Sequence, residues 1–367
     1  MENLVLYRKY RPQNFSEIIG QNHIVRTLVN SIAAGSTSHA YLFSGPRGSG
    51  KTSVARILAK AINCQKPVNS EPCNKCASCN EIMLSNSLDL MEIDAASHTG
   101  VDEVRELISG IKFSPVKSKY KIFIIDECHQ LSKSASNALL KTLEEPPAHA
   151  IFMLATTEAH KMLPTIISRC QRFDFKRLQI PEIISKLEFI LKKEGIKAEP
   201  SALSLIALAA RGSFRDAESL LDKCISFVGG DGKLEVKEIK ELLGIVEIAV
   251  ISNLVDSLIL KNAKLAIMQI NQLADEGTDL QEFAKTLVFY LRQILLLKIN
   301  AEFLNSQNSG FSAEEIAKLK EQTLKLSESQ IHKMLELFID AENKMKYAVI
   351  LQLPLELAVV DVVTGNG

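Results

Sequence analysis

Apolar positions in the first half of this chain come in short unbroken runs, separated by stretches of helical period. The runs are His39–Ser44 (HAYLFS), Asp89–Ile93 (DLMEI), Lys121–Ile125 (KIFII) and Ala150–Ala155 (AIFMLA). Each is rich in Ile, Leu or Phe and nearly free of polar alternation, which is how strands covered on both faces of a parallel sheet read. Between them the period changes: Val54, Ile57, Leu58 and Ala61 fall on one face of a helix that follows Lys51. Strands and helices alternating in this way predict an α/β domain with a parallel sheet over residues 1–178.

From about residue 179 the strands are expected to stop. Pro181–Glu194, Pro200–Arg211 and Ser213–Val228 read as three short helices, separated by KKEGIKAEP and Gly212, and GGDG at Gly229–Gly232 makes the next break. Together they predict a small helical domain over 179–242. From 243 to 367 the chain reads as long amphipathic helices. In one of them Leu280, Phe283, Leu287, Leu291, Ile294 and Leu295 keep to a single stripe before the polar stretch Asn305–Ser312. Such a stripe is first a core-packing face, and a tail this apolar can equally pack against copies of itself.

Composition then narrows the class. Across 367 residues, 46% are hydrophobic and 23% charged, which excludes disorder as the dominant state. Lys+Arg and Asp+Glu are equal at 43 each, so bulk charge does not hold nucleic acid here and only a local basic face is left for it. Aromatic residues make up 6% and Trp is absent, which argues against recognition built on base stacking. The opening MENLVLYRKYRPQNF has no long apolar run before its charges, so no secretory leader is expected. No stretch approaches the roughly 18 apolar residues of a membrane span. Four of the seven cysteines are bunched, which suits a reduced, cytoplasmic protein with a metal site better than a disulfide scaffold.

Three motifs carry the chemistry. Gly45-Pro46-Arg47-Gly48-Ser49-Gly50-Lys51-Thr52 matches G-x-x-x-x-G-K-[ST], follows the strand-like AYLFS and opens a helix. Glycines let such a loop wrap a phosphate with its backbone N–H groups, and the helix adds its N-terminal dipole. Lys51 is then placed for the β- and γ-phosphates and the Thr52 hydroxyl for Mg²⁺; the alternative is a glycine-rich turn matching by chance. Next, Ile122-Phe-Ile-Ile-Asp126-Glu127 ends an apolar strand in two acids. Beside a P-loop, Asp126 suits the Mg²⁺ shell and Glu127 suits the base that activates water, whereas alone they would be a solvated loop start. Finally, Cys64, Cys73, Cys76 and Cys79 stand in C-x8-C-x2-C-x2-C spacing. Four thiolates fill tetrahedral Zn²⁺ and leave no open position, so the site is structural. The insert, about residues 64–79, has almost no core of its own, and metal binding worth about 10–16 kcal/mol in zinc peptides can fold it. A disulfide pair or idle thiols are the alternatives.

These motifs occur in a known order. YRKYRPQNFSEIIGQNHIVRTL, the P-loop, the cysteine insert, DAASHTGVDEVREL, IFIIDECHQLS, FMLATTEAHKMLPTIISRCQRF and GSFRDAESLLDKC together resemble the gamma/tau clamp-loader family of bacterial DNA polymerase III, a branch of the AAA+ ATPases. The cysteine insert after the P-loop helix is the most discriminating feature. The resemblance implies an AAA+ domain over 1–178, a helical lid over 179–242 and a helical collar over 243–367 that holds five subunits in a ring. It implies ATP, Mg²⁺ and Zn²⁺ as cofactors. The implied partners are companion loader subunits, a ring-shaped sliding clamp and primed-template DNA. It places Tyr10-Arg11-Pro12 near the adenine, with Gln21–His23 in the same nucleotide-facing stretch. Thr157 resembles sensor 1, Arg169 in SRC the arginine finger that completes a neighbour's site, and Arg215 in GSFRDA sensor 2. Without the resemblance, Arg169 and Arg215 read as surface salt bridges. The family's longer form carries an extension for helicase and polymerase; this sequence ends at DVVTGNG, as a short form or a truncation does. No polymerase site is present in the motifs. A DExH translocase, suggested by Asp126-Glu127-Cys128-His129, and a non-hydrolysing ATP-binding scaffold are the competing readings.

Overall fold

The computed structural model describes residues 4–97, 110–111, 113–229, 232–242, 247–300 and 311–365. Of DAASHTGVDEVREL only Asp94–Ser97 are among them, and of the stretch Asn305–Ser312 only the last two residues. The chain divides into two compact units, Met1–Val236 and Lys237–Gly367.

The first unit is built on five parallel strands: β1 (Ala40–Ser44), β2 (Leu90–Asp94), β3 (Lys121–Asp126), β4 (Ala150–Thr156) and β5 (Gln171–Asp174), in spatial order β2-β3-β4-β1-β5. The four expected strands are present. β5 was not foreseen, because as an edge strand it buries only Phe173 and reads as polar. β1 and β4 are buried along their whole length and β3 up to its final Asp126, as their unbroken apolar runs require. β2 departs from that expectation. It lies at the other edge, and Glu92 and Asp94 are exposed. Side chains alternate across the sheet: Tyr41 and Phe43 pack with Val54, Ile57 and Leu58 on one face, while Leu42, Phe152 and Leu154 pack with Leu139 on the other. Ser44 pairs in register with Thr156 and Asp174, and Asp94 with Asp126, so five polar strand ends share one edge. Ligands of open parallel sheets bind outside the carboxyl ends of the strands.

After residue 179 the three expected helices appear as Ile180–Glu194, Pro200–Ala209 and Phe214–Val228. The first starts where Glu182 accepts the Gln179 N–H at 2.8 Å and ends at Gly195, which takes the left-handed conformation at φ 76. The expectation that strands stop here needs correction: Lys197–Ala198 and Lys233–Leu234 form a parallel pair. Two residues each are too few to leave a periodic signal, and the Lys233–Glu199 ion pair at 2.8 Å flanks them.

The second unit is helical throughout its described residues, with long helices at Ile248–Ile259, Ala263–Asp275, Leu280–Ile299, Ala313–Lys325, Glu328–Met345 and Leu353–Thr364. The predicted stripe is its core seam. Leu280, Phe283, Leu287, Leu291 and Ile294 are buried and Leu295 half-buried. One polar network is sealed inside: Tyr290 donates to Gln322 Oε1 at 2.7 Å, and Gln322 Nε2 donates to the Ser252 carbonyl at 2.9 Å. Among the described residues no helix is long and apolar enough to cross a membrane.

Candidate nucleotide-binding site and metal centre

The loop Gly45–Gly50 leaves the end of β1 and enters the helix Lys51–Asn63. Two glycines are indispensable in different ways. Gly50, at φ 100, supplies the left-handed step into the helix. Gly48, at φ 72, lies so near Ser213 that a Cβ would sit 1.9 Å from its Oγ. The Lys51 ammonium donates to the carbonyls of Gly45 and Pro46 at 2.8 and 2.9 Å, and Ser49 Oγ donates to Pro46 at 2.8 Å. Burial pushes Lys51 below the ordinary lysine range, and the carboxylates of Glu127 and Asp126 act against that. The loop is thus self-bonded, with a desolvated cation at its centre.

Across from it, the Thr52 hydroxyl donates to Asp126 Oδ2 at 2.7 Å. These two groups sit 74 residues apart in sequence and meet because β1 and β3 end at the same edge. A hydroxyl and a carboxylate side by side below a phosphate loop are the oxygen donors a small hard cation takes. Glu127 follows at φ 45, a left-handed conformation uncommon for glutamate. Its Oε2 accepts from the Thr157 hydroxyl at 2.9 Å and from the Thr157 N–H at 3.3 Å. His129, nearly buried, lies between Glu127 Oε2 at 3.4 Å and Glu158 Oε2 at 3.1 Å, with Nδ1 also 3.0 Å from Thr156 Oγ1.

A cleft of about 1320 Å³ opens over this edge and over the loop. Arg11, Arg47, Arg56 and Arg215 line it together with Lys51, Thr52, Asp126 and Glu127. Arg11 donates from Nε to Ser53 Oγ at 3.3 Å; burial and then the neighbouring Arg56 charge lower its pKa. Arg215 lies over the Tyr7 ring at 5.1 Å. Pro12 lines the cleft, whereas Tyr10, Gln21 and His23 do not. Tyr10 instead donates to Glu194, and Gln21 exchanges hydrogen bonds with the backbone of Lys176. Thr157 reaches the site through Glu127. Arg169 is turned elsewhere: its guanidinium holds Glu144 at 2.6 Å and the Thr165 carbonyl at 2.7 Å, and it does not line the cleft.

Several cleft residues escaped sequence reading, among them Arg56 and Lys60 and two on the helical wall. Lys186 and Glu218, both buried, line the wall formed by the helices Ile180–Glu194 and Phe214–Val228. Burial drives the Glu218 carboxyl up to about 7 against the opposing pull of Lys186. Each falls on an amphipathic helix where a lone charge looks like a solvated position, so no local signal marks them.

The Sγ atoms of Cys64, Cys73, Cys76 and Cys79 all lie within 4.8 Å of one another, and no disulfide links them. The Cys73 N–H points to Cys64 Sγ and the Cys76 N–H to Cys73 Sγ, each at 3.3 Å. Backbone N–H groups of Lys75 and Cys76 lower the Cys73 thiol to about 6. Preformed N–H···S contacts and four converging sulfurs fit a tetrahedral, thiolate-bound divalent ion. Cys128, Cys170 and Cys224 lie outside this cluster.

Comparison with known proteins agrees with this geometry. Three family descriptions match successive segments: "DNA polymerase III, delta subunit" over residues 20–179, "DNA polymerase III clamp loader subunit, ATPase lid domain" over 182–230, and "DNA polymerase III subunits gamma and tau domain III" over 234–365. DNA polymerase III subunit tau of Bacillus subtilis is 43% identical over 362 residues, which is 99% of this chain and 63% of that protein. The Escherichia coli tau subunit is 41% identical over 306 residues, covering 83% of this chain and 47% of its own length. The chain therefore spans about half to two-thirds of these tau subunits. Subunit gamma of Buchnera aphidicola from Acyrthosiphon pisum is 37% identical over 371 residues, with 100% of both chains covered. A P-loop domain, a lid and a helical domain in this order, matched from end to end by a gamma subunit, mean that the chain belongs to the gamma/tau family of bacterial DNA polymerase III clamp-loader subunits.

Proposed function

We propose that the chain is the ATP-hydrolysing motor of a clamp loader, which opens a ring-shaped sliding clamp and places it on primed DNA. The observation that carries this reading is the meeting of Thr52 with Asp126 under a self-bonded P-loop, with Glu127 beside them. In this reading residues 1–178 are the ATPase domain, 179–242 the lid and 243–367 the collar of a hetero-oligomeric ring, a pentamer by family resemblance. The backbone of Gly45–Thr52 binds the phosphates. Lys51 gives up the Gly45 and Pro46 carbonyls for phosphate oxygens, and Arg11, Arg47 and Arg215 balance the remaining charge. Thr52 and Asp126 hold Mg²⁺, which when bound neutralises charge on the phosphates. Glu127 takes the proton of the attacking water, and Thr157 orients it. Cys64, Cys73, Cys76 and Cys79 hold Zn²⁺ in a structural role.

Arg169 serves the site of a neighbouring subunit. Its position outside its own cleft supports that role, and a finger supplied in trans makes hydrolysis depend on assembly. ATP binding then favours the clamp-binding state and hydrolysis the releasing one, which is the differential affinity any such coupling requires. The deciding experiment measures ATP turnover of the chain assembled with companion loader subunits, adding clamp and primed DNA separately and together. The expected result is low basal turnover that rises sharply with both. Stimulation by DNA alone would make it a translocase, although no second α/β domain occurs among the described residues. Absence of turnover under every condition would make it a nucleotide-binding scaffold.

A further inference from the structure

The cysteine loop has no direct place in the chemistry above, yet it touches the cleft wall through an unusually complete set of hydrogen bonds. Asn74 stands between Cys73 and Cys76 in the left-handed conformation, at φ 54. Its Oδ1 accepts from the buried Lys60 ammonium at 2.8 Å, and its Nδ2 donates to Asn14 Oδ1 at 2.6 Å. The other two N–H groups of Lys60 go to the Gln13 carbonyl and to Gln13 Oε1, both at 2.8 Å. An ammonium has three donors, so Lys60 is fully used. The Gln13 side chain continues the path, donating to the Arg11 carbonyl at 3.0 Å. A second arm comes from Glu71 of the same loop, whose carboxylate accepts the N–H groups of Phe15 and Ser16 at 2.7 and 2.8 Å.

We propose that the metal-bound cysteine loop positions the segment Arg11–Ser16, with Lys60, Asn74 and Glu71 as positioning residues, so that metal occupancy sets nucleotide affinity. The proposal rests on the cleft being the nucleotide site. Arg11, Pro12 and Gln13 line that cleft, but only Phe15 of this stretch is anchored in the core. Upstream of Phe15 the backbone has no sheet or long helix to fix it. Glu17 holds the Gln13 N–H and Ser53 the Arg11 side chain. But the Gln13 carbonyl, the Asn14 Oδ1 and the N–H groups of Phe15 and Ser16 are held through Lys60, Asn74 and Glu71, which stay in place only if the loop carrying Asn74 and Glu71 keeps its shape. That loop has no apolar core, and its shape follows from sulfur–metal bonds.

The test uses the full chain and the variants Asn74→Gly and Glu71→Ala. Glycine keeps the left-handed backbone, and all four cysteines remain. Metal content is measured alongside, and wild-type protein stripped by a chelator is the third sample. Amide exchange of Phe15 and Ser16, whose N–H groups Glu71 accepts, is followed without nucleotide, and affinity is read with a fluorescent ATP analogue. In all three samples these amides exchange about tenfold faster than in the metal-loaded wild type. Losing two hydrogen bonds of ordinary strength weakens nucleotide binding about fivefold or more. Unchanged exchange in the variants and in the stripped protein overturns the positioning role. Faster exchange with unchanged affinity overturns the link to nucleotide while leaving the P-loop reading intact. If the metal-loaded wild type binds no nucleotide, the functional reading fails, and the exchange measurement still judges the strut on its own.

Discussion

Lys51, Glu127 and Glu218 show how its surroundings set the duty of a charged side chain: the first and last are buried and Glu127 is half-buried. Lys51 is a desolvated cation whose hydrogen bonds, among the described residues, go to two neutral carbonyls of its own loop, so an entering phosphate meets an ammonium that is not already bonded to a carboxylate. Lys51→Ala therefore abolishes nucleotide binding, measured by equilibrium titration. Glu127→Gln keeps binding and lowers turnover by about 10²–10⁴, the range of a lost general base. Glu218 gives a pH signature. Its folded pKa is about 7 and its ordinary value 4.5, so the folded chain holds this proton more tightly than the unfolded one. Stability thus falls as pH rises from 4.5 toward 7 and levels off above, by at most about 3 kcal/mol. Urea unfolding at pH 5 and pH 8 reads this slope, and Glu218→Gln flattens it; an equal slope in the variant would refute the assignment. Lys51, Asp126 and Glu127 were legible because a strand, a loop and a helix in direct succession leave a contiguous motif. Lys186, Glu218 and Lys60 were not. Lys186 meets the Tyr10 carbonyl across 176 residues and Lys60 meets Gln13 across 47, and no local period encodes such pairs.

Among the elements, the central strands announced themselves and the edges did not. β4 is buried at every position and reads as an unbroken apolar run, so Phe152, stacked on Phe123 at 5.4 Å, was visible as core from sequence. Phe152→Ala costs about 3–5 kcal/mol, seen as a lower urea midpoint with an unchanged slope. β2 and β5 carry exposed polar residues because each has a neighbour on one side only, and the two-residue strands fall below any pattern's reach. The residues just before β3 illustrate the same limit. Burial alone would raise the Asp89 carboxyl, but the N–H groups of Val116, Lys117 and Ser118 outweigh it and hold the group below its usual range. Nothing in DLMEI distinguishes this anchor from an ordinary strand-flanking aspartate. In the proposed zinc role, the cysteine loop depends on a ligand rather than on packing. Cys76→Ser loses the bound metal, read by metal analysis, while leaving the far-ultraviolet spectrum of the sheet and helices nearly unchanged.

For the whole molecule, a parallel sheet before about residue 179 and mainly helices after it were readable from the change of period there, whereas the two compact units divide at Val236 and Lys237, where no such change marks the sequence. In the proposed assembly the chain's stimulated turnover turns on Arg169. Arg169→Ala leaves nucleotide affinity unchanged and lowers the stimulated turnover of the assembled loader by about 10³–10⁵. Normal stimulated turnover in that variant would remove the finger from the mechanism. In the single chain the same guanidinium rests on Glu144 with both side chains partly in water, an arrangement worth at most about 1 kcal/mol. So weak a tether neither locks the chain nor readies it. On the proposed mechanism a solitary copy idles because no neighbour's guanidinium faces its phosphates, and it needs no inhibitor to do so. Its waste of fuel is then governed by mass action: diluting the loader below the dissociation point of its subunits lowers the turnover per chain, and reconcentrating restores it without any repair step.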